Sequence, residues 1–263
     1  MSRWQQIDFR YSTNVEMGYS AVPFVRSIIG EVITVLFSNR DNMGKSFLQE
    51  VKLRIKSDDS IEVIEDKGVV LLEAGNEGAF DSAGTMACQL ARIQNKNYLY
   101  YIGWNIGNDV PFRNSIGVAE ENEDGSFKKL FDGPIVDRSI YDPCFVASMN
   151  VIPFKNRYLM YYLSCVEWVK TDGGLRHKYH IKIAESKDGL DWKREGKIAI
   201  DFKDADEYAI SVPRVKFENG IYKMWYSHRG SASEKNYAIG YAESNDAINW
   251  NRKDSFFSLD RGN

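Results

Sequence analysis

Four acidic residues recur at nearly constant distance ahead of four aromatic ones in this 263-residue chain. Asp81 precedes Tyr101 by 20 positions and Asp142 precedes Tyr162 by 20, while Glu207 stands 19 ahead of Tyr226 and Glu16 stands 21 ahead of Phe37. Carboxylates that a repeat carries to equivalent places are raw material for general acid and base pairs. A ring of them is costly through like-charge repulsion unless a cation or a ligand offsets it. Cations stand in phase with them: Arg40 and Arg229 each lie three residues beyond Phe37 and Tyr226, and Trp104 and Cys165 take the same slot after Tyr101 and Tyr162. Acids, arginines and an aromatic plate suit a sugar, whose hydroxyls need polar partners and whose ring face stacks on Trp or Tyr. Asp81, Asp142 and Glu207 are therefore the candidate catalytic residues, and Arg40, Trp104, Tyr162, His228 and Arg229 the candidate substrate-binding ones. Structural alternatives stand beside these: Arg40 pairing with Asp41 or Arg229 with Glu207 to fix the repeat, an Asx turn at Asp142 ahead of Pro143, a loop cap at Asp81, and His228 as a core or rim histidine.

The elements that must position these residues are strands. Tyr98–Trp104, Tyr158–Ser164 and Tyr222–His228 are versions of one aromatic strand, and Val35–Arg40 is a fourth. Each later anchor is followed by an alternating signature, Ile116-Gly-Val-Ala-Glu120, Ile181-Lys-Ile-Ala-Glu185 and Ile239-Gly-Tyr-Ala-Glu243. A turn then comes at Asp124-Gly125, Asp188-Gly189 or Asp246-Ala247, which reads as hairpin chemistry rather than calcium ligation. A further strand precedes each anchor, beginning near Val22, Thr85, Pro143 and Val212. Units of about 60 residues, each with several short antiparallel strands and no convincing amphipathic helix, predict an all-β propeller in a single domain over 1–263. Its blades fall at roughly 12–70, 78–135, 140–200 and 205–255. Each acid lies just before an inner strand and is expected to face a shared axis. One more period beyond Tyr226 would run past Asn263, so four blades close the ring, the closing blade is abbreviated, or the chain is truncated. An open ring would expose a sheet edge and favour a homodimer.

Composition removes other classes. With 34 Lys+Arg against 37 Asp+Glu, the net charge of −3 gives no basic face for nucleic acid. No apolar run approaches the roughly 20 residues of a membrane span, and the first residues lack an export signal, so a cytoplasmic protein with no membrane partner is expected. Cys88, Cys144 and Cys165 form no close pair in sequence and read as reduced packing residues. His177 and His180 are three apart without a third ligand nearby, so no metal is expected. No nucleophile elbow, phosphate loop or dinucleotide fingerprint is present, and no cofactor is implied.

Phe80-Asp81-Ser82-Ala83-Gly84 with Tyr98–Trp104, the Ala-Glu-Ser-Lys-Asp-Gly-Leu-Asp-Trp run at 184–192, and Lys223–Arg229 resemble the five-bladed propeller glycosidase superfamily over about residues 20–252. That group includes arabinanases and xylosidases of glycoside hydrolase family 43, fructosidases and mannoside phosphorylases. The resemblance implies cleavage or transfer of a glycosidic bond, with Glu207 or Asp142 as general acid of raised pKa and Asp81 orienting the sugar. The acid that family 43 hydrolases use as base in the first blade has no clear counterpart, because Ser20-Ala21-Val22-Pro23 carries none and Glu16 is a loose substitute. Arg40, Arg229 and His228 are similar to the phosphate-holding groups of the phosphorylase branch, or to a site for an anionic sugar. The implied partner is a small saccharide or glycoconjugate, with phosphate as a second candidate. The rival reading is a non-catalytic sugar-binding or polysaccharide-biosynthesis propeller.

Overall fold

A computed structural model describes residues 21–66, 68–230 and 236–257. Sixteen strands among them form four consecutive antiparallel meanders. The first holds β1 (Ala21–Ile29), β2 (Val32–Arg40), β3 (Ser46–Ile55) and β4 (Ile61–Asp66), and the second β5 (Gly84–Ile93), β6 (Lys96–Asn105), β7 (Arg113–Glu121) and β8 (Phe127–Lys129). The third holds β9 (Phe145–Phe154), β10 (Arg157–Thr171), β11 (Gly174–Ser186) and β12 (Lys193–Ile200), and the fourth β13 (Ala209–Glu218), β14 (Ile221–Arg229), β15 (Ala238–Ser244) and β16 (Asn251–Arg252). The described helical content is one 3-10 turn, Asp254–Phe257, and no described helix is long and apolar enough to cross a membrane.

The described residues divide into two compact units, those within 1–105 and 118–133 and those within 106–117 and 134–263. In each, two meanders share a core. Leu36, Leu48, Leu99, Tyr101, Ala119 and Phe127 cluster in the first unit, and Leu159, Tyr161, Ile181, Ile210, Met224 and Tyr226 in the second. The anchor strands are covered on both faces, so Tyr98–Ile102 and Leu159–Leu163 are buried at every position rather than at every other one. In both units a single parallel pairing joins the third strand of one meander to the first of the next, Ser46 with Gly84 and Tyr179 with Ala209. Gly84 permits the first of these: a Cβ there would strike the Ser46 backbone.

All four first strands are interrupted by a bulge opposite the anchor strand, at Val22–Pro23, Cys88, Ser148 and Val212–Pro213. Val22 and Val212 have φ of 52° and 51°, rare for a β-branched residue and worth roughly 1–3 kcal/mol of strain each. The two prolines thus sit where the ladder is already broken, which is why a residue without an N–H is tolerated. The Ser148 hydroxyl accepts the Val212 N–H at 3.0 Å and Asn150 Oδ1 accepts that of Val215 at 2.8 Å, so the fourth bulge is satisfied from β9. The Asp turns behave as hairpin chemistry: Asp188 Oδ1 accepts the N–H groups of Leu190 and Asp191, and Asp246 Oδ1 those of Ile248 and Asn249.

The Ile-Gly-Tyr-Ala-Glu signature is tight for a packing reason, because a Cβ on Gly240 would run into the Tyr226 ring across β14 and β15. Gly240→Ala should lower stability by about 1–3 kcal/mol in a urea melt. Gly133→Ala, where nothing lies within 4 Å of the new Cβ, should leave the midpoint within about 0.5 kcal/mol of the parent. Equal midpoints for the two variants would show that the ring contact is not tight.

Candidate functional site

The three described acids are all buried, and each is already engaged. In the first unit Asp81, 1% exposed, receives Lys129 Nζ at 2.6 Å and the Tyr101 hydroxyl at 3.1 Å. In the second unit Asp142, 0% exposed, receives Arg194 at 2.8 Å, the Ser164 and Ser139 hydroxyls at 2.6 and 2.8 Å, and the Tyr162 hydroxyl at 3.2 Å. Lys182 Nζ, 3.6 Å from Asp142, donates to the Tyr141 carbonyl. Glu207, also in the second unit and 0% exposed, is gripped by both terminal nitrogens of Arg252 at 2.7 and 2.9 Å, by His228 Nδ1–H at 2.9 Å and by the Lys203 N–H at 2.8 Å.

One design repeats in the second, third and fourth meanders. The acid stands before the first strand, the anchor tyrosine on the second, and the cation on the fourth, where Lys129, Arg194 and Arg252 pair with Ala119, Ala184 and Ala242. Those alanines belong to the Ile-x-x-Ala-Glu signature, and each cation follows its alanine by ten positions. Sequence reasoning missed the three cations, although that constant offset would have found them. In the fourth meander the tyrosine is displaced: Tyr226 donates at 2.6 Å to Asp254, which shares Arg252 with Glu207. In the first meander the corresponding place opposite Val51 holds an acid, Asp66. Glu16 and Ser20 lie outside the described residues.

The expectation of a raised pKa at the acid does not hold for Glu207. Burial pushes its carboxyl up, but the hydrogen bonds from His228, Arg252 and the Lys203 amide outweigh that and bring it from 4.5 down to about 2. Burial and the neighbouring Asp142 push the Tyr162 hydroxyl up, so it stays a proton donor to that carboxylate. Tyr162 and His228, expected to contact substrate, are 0% and 2% exposed and work inside their meanders.

The remaining expected residues lie nearer the surface. Arg40 is exposed and lies 5.1 Å from the Trp104 ring, whose Nε1–H donates to Ser46 Oγ at 2.7 Å. Asp41 caps its own turn by accepting the Met43 and Lys45 N–H groups, so the Arg40–Asp41 pairing is not formed. Arg229 does not pair with Glu207 either; its guanidinium lies over the Tyr208 and Tyr237 rings at 5.3 and 4.2 Å. Asp81 and Lys129 line an open cleft of about 460 Å³ in the first unit, rimmed by Glu73, Asn76, Phe131 and Asp132. His177 and His180 take separate partners, Tyr179 by stacking and Asp201 by a 2.9 Å hydrogen bond. Among the described residues no cluster of three His, Cys, Asp or Glu could hold a metal ion. Cys144 and Cys165, distant in sequence, are cross-strand neighbours joined by a backbone hydrogen bond, and both are free thiols.

No family model matches the chain. It is 28% identical over 251 residues to the uncharacterized protein Rv1502 of Mycobacterium tuberculosis, an alignment that covers 94% of this chain and 81% of that protein. Among solved structures it is similar to the Bombyx mori GH32 β-fructofuranosidase BmSUC1, with a TM-score of 0.66 at 15% identity over 90% of this chain and 49% of that one. A thermostable family-43 glycoside hydrolase gives a TM-score of 0.61 at 18% identity, covering 92% of this chain and 74% of that one. The chain therefore shares the all-β propeller fold of these solved structures, with the described meanders as blades.

Two outcomes test the buried networks. Arg252→Leu leaves the Glu207 charge without its guanidinium and should cost about 3–5 kcal/mol, whereas the double variant Glu207→Leu/Arg252→Leu should recover most of that loss in the same denaturation assay. The folded carboxyl near 2 lies below its ordinary 4.5, so the stability it contributes is complete above about pH 4.5 and drains away as the pH falls toward 2. Glu207→Gln should flatten that part of the acid-unfolding curve; an unchanged acid limb would show that the carboxylate is not held this way.

Proposed function

We propose that this chain is a carbohydrate-active propeller that recognises a saccharide at its arginine–aromatic surfaces, while Asp81, Asp142 and Glu207 lock the blades. One observation carries the reading. The three buried acids each have a cation and hydrogen-bond donors of their own, whereas Arg40 and Arg229 rest on aromatic rings with no carboxylate partner among the described residues. A general acid must hold a proton near the working pH, and Glu207, at about 2, does not. The first strands offer no substitute: β1, β5 and β9 contain no Asp or Glu, and β13 contains one only at its last residue, Glu218. Arginine and exposed aromatic faces are suited to hydroxyl and ring recognition without bond cleavage.

Cleavage or transfer of a glycosidic bond is the second reading, and the place of Asp81 favours it. Its carboxylate lines a cleft of saccharide size beside the half-exposed Phe131 ring, with Lys129 as the group that would have to release it.

The two readings separate in one set of assays on the full chain, using a glycan array and incubation with aryl glycosides and oligosaccharides with and without phosphate. Saccharide binding without product release in either buffer is the expected result. Release that disappears in Asp81→Asn while the variant still melts like the parent would replace it with the second reading.

A further inference from the structure

We infer that Arg176, Tyr208, Arg229 and Tyr237 form an oxyanion subsite in the second unit, built to take the carboxylate or phosphate group of an acidic sugar; this deepens the saccharide reading above and rests on it. The hairpin of β10 and β11 is longer than the others, 15 and 13 residues, and its far part carries Arg176 and His177 to the end of β14, where Arg229 stands. There Arg176 lies 4.2 Å from the Tyr208 ring and Arg229 lies 5.3 Å from the same ring, so two guanidinium groups share one phenol. Arg229 also lies 4.2 Å from Tyr237, whose hydroxyl is 2.6 Å from that of Tyr179.

Two features point to a missing anion. Neither arginine has an Asp or Glu partner among the described residues, whereas the half-buried Arg26, Arg194 and Arg252 each hold a carboxylate. Arg229 Nε is buried without a hydrogen-bond acceptor, a state that costs free energy until an acceptor arrives. His177 is stacked on Tyr179, and burial and the Arg229 charge both hold its imidazole below the ordinary range, so it adds no third positive charge to the cluster. An oxyanion satisfies the idle N–H groups and relieves the repulsion between the two cations. The exposure of Arg176 and Tyr237 leaves the cluster open to solvent, and the tyrosine rings supply an apolar border for the sugar that bears the charge.

Calorimetric titration with galacturonate, glucose 6-phosphate, galactose, glucose and inorganic phosphate tests this on the full chain. At least one acidic sugar should bind about tenfold or more tighter than its neutral parent, and added salt should erode the difference. Arg229→Gln should weaken the acidic sugar about tenfold, and Arg176→Gln/Arg229→Gln should abolish the preference, weakening the acidic sugar far more than the neutral one. The exposed Arg92→Gln serves as the control, and melting curves report folding of every variant. Preference for galacturonate or for glucose 6-phosphate identifies the source of the oxyanion, and either supports the inference. Equal binding of acidic and neutral sugars, a preference that survives the double variant, or inorganic phosphate bound as tightly as the sugar phosphate overturns it alone. Failure of every sugar to bind overturns the saccharide reading with it.

Discussion

A carboxylate placed in a protein interior must be matched by a cation and hydrogen-bond donors, or the fold loses several kcal/mol. Three of the four described blades are arranged around that demand. The acid before the first strand is answered by a lysine or arginine on the fourth, with hydroxyls or an imidazole from the second strand between them in each case. Strand ladders connect only neighbours, whereas this network reaches from the residue ahead of the first strand to the fourth strand. The partners are mutually dependent, because removing either leaves the other charged and stranded. That asymmetry, more than any net gain over an apolar core, is what the arrangement imposes.

The same demand divides the polar residues into two sets. Charges inside the blades are paired; the guanidinium groups of Arg40, Arg176 and Arg229 sit on aromatic rings without carboxylates among the described residues. A group already committed to a bidentate ion pair has little capacity left for a substrate, since forming a new contact means breaking an old one at full desolvation cost. An unmatched guanidinium has the opposite character. Fold constrains where side chains point, and chemistry is settled by which of them remain unengaged.

Much of this architecture was legible in the sequence because strand packing writes itself in large residues. Tyr101, Tyr162 and Tyr226 fall on the second strand of successive blades, and the Ile-x-x-Ala-Glu runs on the third, where their alanines face the fourth-strand cations. Polar roles were far less legible. Asp142 looks identical whether it serves a substrate or accepts from Arg194, since the difference lies in a residue 52 positions away on another strand. Arg229 was found from its phase with Arg40, but its neighbours Arg176 and Tyr208 come from the long β10–β11 hairpin and the approach to β13, which the other repeats do not predict. The bulges escaped notice as well, because a valine with φ near 50° carries no mark in sequence beyond the proline that follows it.

Rotational repetition is the source of that ambiguity. A repeat that would deliver catalytic acids to one place delivers structural acids just as regularly, so periodic carboxylates alone cannot distinguish the two uses. The distinguishing observation is whether a cation recurs in the same phase. Lys129, Arg194 and Arg252 do, each opposite the signature alanine of its own blade, and a cation that travels with the acid through the repeat belongs to the repeat's stability. The first blade tests this logic from the other side: at the equivalent pairing, opposite Val51, the chain places Asp66, and the ten-residue offset is lost to a longer connection between β3 and β4. Pairing partner, rather than distance along the chain, is therefore the quantity that identifies which charges hold a blade and which are left over for a ligand.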